Sequence, residues 1–104
     1  MSDDVLVSTE GGLLRVTLNR PEKRNPLSRA ALAQLRGIFE THAADGRIAL
    51  AVLTGAGEKS FAAGGDLRDL EQVQSPDQAR ALSDLGNGAF NAIRRFPAPV
   101  VAAL

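Results

Sequence analysis

The run Ile48-Ala-Leu-Ala-Val-Leu-Thr54 carries no charged residue, and its only polar side chain is the last. A strand of this kind offers no polar face to water, so it belongs inside a sheet covered on both sides. Val100 to Leu104 repeats the pattern. Between them, after a turn at Gly55-Ala-Gly57, a helix starts at Ser75. Ser75 can cap, Pro76 suits the first turn, and Gln78 stands three residues after Ser75 as in a capping box. Leu82, Leu85, Ala89, Ile93 and Phe96 then recur at helical spacing, and Pro97 and Pro99 close the pattern. Gly86 and Gly88 each cost about 1 kcal/mol against alanine inside a helix and mark close packing or a kink.

Upstream, Val5 to Thr9 and Leu13 to Leu18 are short β-rich runs, and Leu14, Val16 and Leu18 alternate with Arg15 and Thr17. Glu10-Gly11-Gly12 between them supplies the backbone of a tight turn, so a β-hairpin is expected. Asn19 to Pro26, with two prolines and several charges, is a loop. Ser28 to about Ala44 reads as a helix capped by Ser28, with Leu32, Leu35 and Phe39 on one face and Asp45-Gly46 as its stop. The order ββαβ, short helix, α, β is an α/β pattern. No internal repeat interrupts it.

At 104 residues the chain suffices for one domain with a modest core. Lys plus Arg equals Asp plus Glu at 12 each, which gives no electrostatic reason to expect nucleic acid or an anionic membrane as partner. Trp and Tyr are absent, so stacking on bases has little support. Without cysteine there is no disulfide or thiolate chemistry, which fits a reducing, cytoplasmic setting. No apolar run approaches the length of a membrane span.

Gly55-Ala-Gly57-Glu-Lys59-Ser60 fails as a phosphate loop because Glu58 precedes the lysine, and it fails as a dinucleotide fingerprint because Ser60 holds the third glycine position. His42, the single histidine, reads as a cation favouring a helix C-terminus. Asp66, Asp69 and Glu71 read as caps and dipole partners at a helix start rather than metal ligands, and no metal is expected. Arg20, Lys23, Arg24 and Arg29 form a basic group that is either a solvated loop or a seat for an anion such as phosphate. "FAAGGDLRDL", from Phe61 to Leu70, leaves main-chain groups unshielded just before a helix expected near Asp66. Backbone N–H groups there can stabilise an oxyanion. A tight turn packed on a neighbouring strand accounts for the same residues equally well.

Four stretches, in order, resemble the crotonase, or enoyl-CoA hydratase/isomerase, superfamily. They are "VTLNRPEKRNPLS" from Val16 to Ser28, the helix that follows, "IALAVLTGAGEKSFAAGGDLRDL" from Ile48 to Leu70, and "FPAPVVAAL" from Phe96 to Leu104. The resemblance implies the N-terminal part of a crotonase spiral of ββα units over residues 1–104. It implies acyl-CoA thioester chemistry, with hydration of trans-2-enoyl-CoA the leading activity. Isomerase, thioester hydrolase, decarboxylase and dehalogenase reactions are the alternatives within the family. The Gly65 N–H would be one of two oxyanion donors to the thioester carbonyl. Ala63, Gly64, Gly65, Asp66 and Leu67 would line the adenine and pantetheine of CoA. Lys23 and Arg24, with Arg68 a weaker candidate, would pair with its phosphates. CoA would be part of the substrate, with no tightly bound cofactor, and the family's trimers or hexamers make a homo-oligomer the expectation.

The family pattern continues past the strand matched by "VVAAL" into a glycine-rich segment and a helix. These carry the second donor and, in hydratases, the catalytic glutamates. Val100 to Leu104 ends without turn, cap or polar tail, so the sequence predicts an interruption inside a core strand. A CoA-binding or assembly fragment without catalysis is the rival reading. An RNA-associated member of the fold is a second, disfavoured by neutral charge and few aromatics.

Overall fold

A computed structural model describes residues 4–23, 25, 27–57 and 72–103. The predicted hairpin is present. Strand β1 (Val5–Glu10) pairs antiparallel with β2 (Leu13–Leu18), and Glu10 lies opposite Leu13. That register leaves a two-residue loop, Gly11-Gly12, with φ of 55° and 86°. Positive φ at both positions is the requirement of a type I′ turn, which glycine meets without strain. Gly12 also accepts hydrogen bonds at its carbonyl from the N–H groups of Ala49 (2.8 Å) and Leu50 (3.3 Å), so the turn seats the start of the next strand.

After a short 3-10 turn (Pro21–Lys23), helix α1 spans Arg29–His42. Ser28 caps it as predicted: its Oγ accepts from the Ala31 N–H at 3.1 Å and donates to Asp4 Oδ2 at 2.9 Å. The helix stops at His42, just short of the predicted end. His42 Nδ1 donates to the Ile38 carbonyl at 2.8 Å, and Asp45 Oδ1 accepts from the Arg47 N–H at 3.0 Å, turning the chain toward the sheet. Strand β3 (Leu50–Gly55) runs parallel to β2. Helix α2 (Pro76–Arg94) leads to β4 (Val100–Ala103), which runs parallel to β3. Ser75 caps α2, accepting from the Gln78 N–H at 3.1 Å. The Gln78 side chain reaches back one residue further than a capping box would have it, accepting from the Gln74 N–H at 2.6 Å.

The sheet order is β1-β2-β3-β4. Each parallel step crosses in the same direction, so the usual right-handed crossover puts both helices on one face. Leu14, Val16 and Leu18 of β2 and Ala51 of β3 are buried there against Leu32, Leu35 and Phe39 of α1 and Ala89 of α2. The Phe39 and Phe96 rings meet edge to face, centroids 5.3 Å apart. Gly88 of α2 lies against the Arg36 side chain of α1, whose Nη1 would stand 2.8 Å from a Cβ built on the glycine.

The expected burial of β3 on both faces is only half met. Ala51 is buried, but Leu50, on the face away from the helices, is 36% exposed. Its register neighbours there include Leu13, and Val52 lies beside Val101, which is 49% exposed. No described element covers this apolar band. We therefore expect the isolated chain to self-associate as its concentration rises, with β4 also offering an unpaired edge. Sedimentation across a concentration series checks this. Val101→Lys should shift the distribution toward monomer, whereas a monomer at every concentration would contradict the expectation.

Candidate functional site

In open α/β sheets the carboxyl ends of parallel strands are where ligands gather, because helices occupy the faces and loops diverge at the ends. Here β2 and β3 end side by side, with Leu18 opposite Gly55. The Ala56 N–H donates to the Leu18 carbonyl at 2.7 Å, extending the ladder one step beyond β3. The segment that follows β2 folds back over this end. Asn19 N–H donates to the Asp4 carbonyl at 2.8 Å, and the stretch Arg20 to Asn25 then closes on itself.

Asn25 makes that closure. Its N–H donates to the Arg20 carbonyl at 2.8 Å, and its Oδ1 accepts from the Arg20 N–H at 2.8 Å. Its Nδ2 donates across to the Ala56 carbonyl at 3.0 Å. Asn25 is buried and has φ of 54°, a region that asparagine tolerates better than most residues. The residue after Ala56, Gly57, also meets this loop, and its φ of 83° bends the chain. A Cβ there would lie 2.9 Å from Pro21 Cβ. The loop after β2 and the exit from β3 are thus fitted together at hydrogen-bond and van der Waals distance.

The basic group divides. Arg20 is engaged by acids, with Nη1 3.8 Å from Asp4 Oδ1 and Nε 3.7 Å from Glu22 Oε1. These partly exposed pairs add little stability, and they leave the Arg20 charge already partnered by acids. Lys23 ends the 3-10 turn, and Arg29 begins α1. Arg24, Ala63, Gly64, Gly65, Asp66, Leu67 and Arg68 lie outside the described residues, as do Asp69, Glu71 and the helix expected near Asp66. Among the described residues, no three His, Cys, Asp or Glu side chains gather closely enough to hold a metal ion, and no helix is long and apolar enough to cross a membrane.

The perturbed titrations sit away from this end. A hydrogen bond to Glu40 pushes the Arg36 pKa up, and hydrogen bonds from Arg47 hold the Asp45 carboxyl low. Both groups are at the surface, on helix α1 and at its exit. Sequence reasoning passed over Asn25. The available signal was an asparagine among charged loop residues, and its partner Ala56 is 31 positions away.

The enoyl-CoA hydratase/isomerase family profile matches residues 8–104. A short-chain-enoyl-CoA hydratase from Clostridium acetobutylicum is 32% identical over 102 residues, covering 98% of this chain and 39% of that protein. A carnitinyl-CoA dehydratase from Escherichia coli is 33% identical over 107 residues, covering all of this chain and again 39% of its own. Among solved structures, an enoyl-CoA hydratase/carnithine racemase from Magnetospirillum magneticum superposes with a TM-score of 0.91 at 35% identity, over 98% of this chain and 39% of that one. An enoyl-CoA hydratase from Mycobacterium smegmatis gives 0.91 at 37% identity, over 97% and 39%. The chain therefore spans about two fifths of the length of these relatives, and its mixed sheet with helices is the N-terminal part of their fold.

Proposed function

Since the chain belongs to the enoyl-CoA hydratase/isomerase family, we propose that it binds acyl-CoA thioesters and serves the hydration of trans-2-enoyl-CoA. The observation that carries this reading is the match over residues 8–104, together with a relative named short-chain-enoyl-CoA hydratase. In this reading the Gly65 N–H donates to the thioester oxygen. Charge that builds on that oxygen as water adds to the double bond is then met by a preorganised donor. Residues Ala63 to Leu67 line the CoA, and Lys23, Arg24 and Arg68 face its phosphates. CoA enters as part of the substrate. The fitted loop and strand end described above support the reading, because Lys23 lies on the loop and Gly65 follows the end of β3 by ten residues in the sequence.

A second reading is favoured by the carnitinyl-CoA dehydratase relatives, which match at the same level. It keeps the thioester site and changes the acyl group. Titration of the 104-residue chain with butyryl-CoA tests what the two readings share. Saturable binding that CoA competes away is expected, weaker than about 1 µM, where binding energy would reach roughly 8 kcal/mol. Absence of binding up to millimolar ligand would remove both readings. The glutamates that the resemblance assigns to hydratases lie past the stretch matched here, so these residues alone should not hydrate crotonyl-CoA. Turnover on the order of 10 per second, ordinary for an enzyme, would show that the acid/base pair lies within them.

A further inference from the structure

Asn25 is more than a satisfied polar group. Among the described residues it is the one non-glycine with positive φ, and it and Ser28 are the only buried polar ones. Ser28 caps a helix, a local task. Asn25 instead spends one amide on two elements, taking the Arg20 N–H at Oδ1 and giving Nδ2 to the Ala56 carbonyl. An amide is the one side chain of that length with an acceptor and a donor in a fixed plane. Aspartate keeps the acceptor but sets a carboxylate oxygen against the Ala56 carbonyl. Ala56 is thereby held on both sides, its N–H by Leu18 and its carbonyl by Asn25. Gly57 then turns the chain against Pro21, with no room for a Cβ. The direction in which the chain leaves β3 is set by the loop, and Asn25 sets the loop.

We propose that Asn25 is a positioning residue that locks the Arg20–Asn25 loop to the exit of β3, so that both elements meet one extended CoA thioester in a fixed relative geometry. The inference rests on the CoA reading above. A ligand that touches two elements gains affinity from their being held in register, and it loses that gain when they move independently. A ligand that touches one element does not.

Two variants separate the arms. Asn25→Asp retains the bond from the Arg20 N–H and loses the one to Ala56. Asn25→Gly loses both but accepts the positive φ, so it keeps the backbone fold. Each is measured in the 104-residue chain, at a temperature where circular dichroism shows it folded, by titration with butyryl-CoA and with inorganic pyrophosphate. Amide exchange at Arg20 is followed alongside. Both variants should bind butyryl-CoA at least tenfold more weakly, while affinity for pyrophosphate, which has no adenine or pantetheine to meet Ala63 to Leu67, changes less than twofold. The Arg20 amide should stay protected in Asn25→Asp and exchange faster in Asn25→Gly. Either folded variant binding butyryl-CoA like the parent chain would overturn the inference and leave the CoA reading standing. An equal loss for both ligands would also overturn it, since Asn25 would then shape the loop only. No binding of butyryl-CoA by the parent chain would remove the CoA reading, and the inference with it.

Discussion

Phe39→Ala should cost the chain about 4 kcal/mol, within the 3–5 kcal/mol typical of losing a buried phenylalanine. Phe39 is fully buried, and it joins three parts of the core: its own helix, the sheet face below, and the Phe96 ring beyond the end of α2. The edge-to-face pair adds about 1 kcal/mol beyond area burial. Domains of this size hold roughly 5–15 kcal/mol in all. The substitution thus removes a large share, and at about 4–8 °C per kcal/mol the melting midpoint should fall by at least about 15 °C. Thermal melting followed by circular dichroism reads this directly. If Phe39→Ala does not fold, Phe39→Leu, which keeps most of the volume, should fold and melt below the parent. A Phe39→Ala midpoint within a few degrees of the parent would mean that the helix pair is not packed around this ring.

What could be read from the sequence divides along the range of the interactions involved. The alternation of Leu14, Val16 and Leu18 fixes a strand and its buried face within six residues. The caps Ser28 and Ser75 each bond a donor three residues on. Such local rules carry their own evidence, and each of these elements has the place expected of it. The partner choice of a side chain across the fold carries none. Nothing near Asn25 announces Ala56, and nothing near Arg20 announces Asp4, so a loop that reads as charged and solvated is pinned at both ends. The same limit applies to β3. Its apolar run correctly marks a central parallel strand, but covering the face that bears Leu50 and Val52 takes elements other than α1 and α2. Of the candidate site, Lys23 and its turn fall among the described residues, while Arg24 and the stretch from Ala63 to Arg68 lie outside them. For those residues substitution is the test.

In any active enzyme that carries these residues, Gly65→Pro is the decisive substitution for the proposed oxyanion donor. Proline has no backbone N–H, so the thioester oxygen would lose that hydrogen bond whatever else the residue does. Removing one such donor typically costs about 3 kcal/mol in the transition state, a fall of roughly a hundredfold or more in kcat. Because the bond strengthens as charge builds on the oxygen, the loss should appear mainly in kcat, with a smaller change in KM. Proline also fixes φ, and Gly65→Ala is the necessary companion. Alanine keeps the N–H and adds only a Cβ, so an effect of the missing donor should leave Gly65→Ala well above Gly65→Pro, whereas an effect of lost conformational freedom should lower both. Hydration of crotonyl-CoA gives the rates, and circular dichroism establishes that each variant is folded. A folded Gly65→Pro enzyme with the parent's kcat would show that the Gly65 N–H does not meet the thioester oxygen. In that case the four small residues from Ala62 to Gly65 would be a turn packed on its neighbours, the alternative that their composition leaves open.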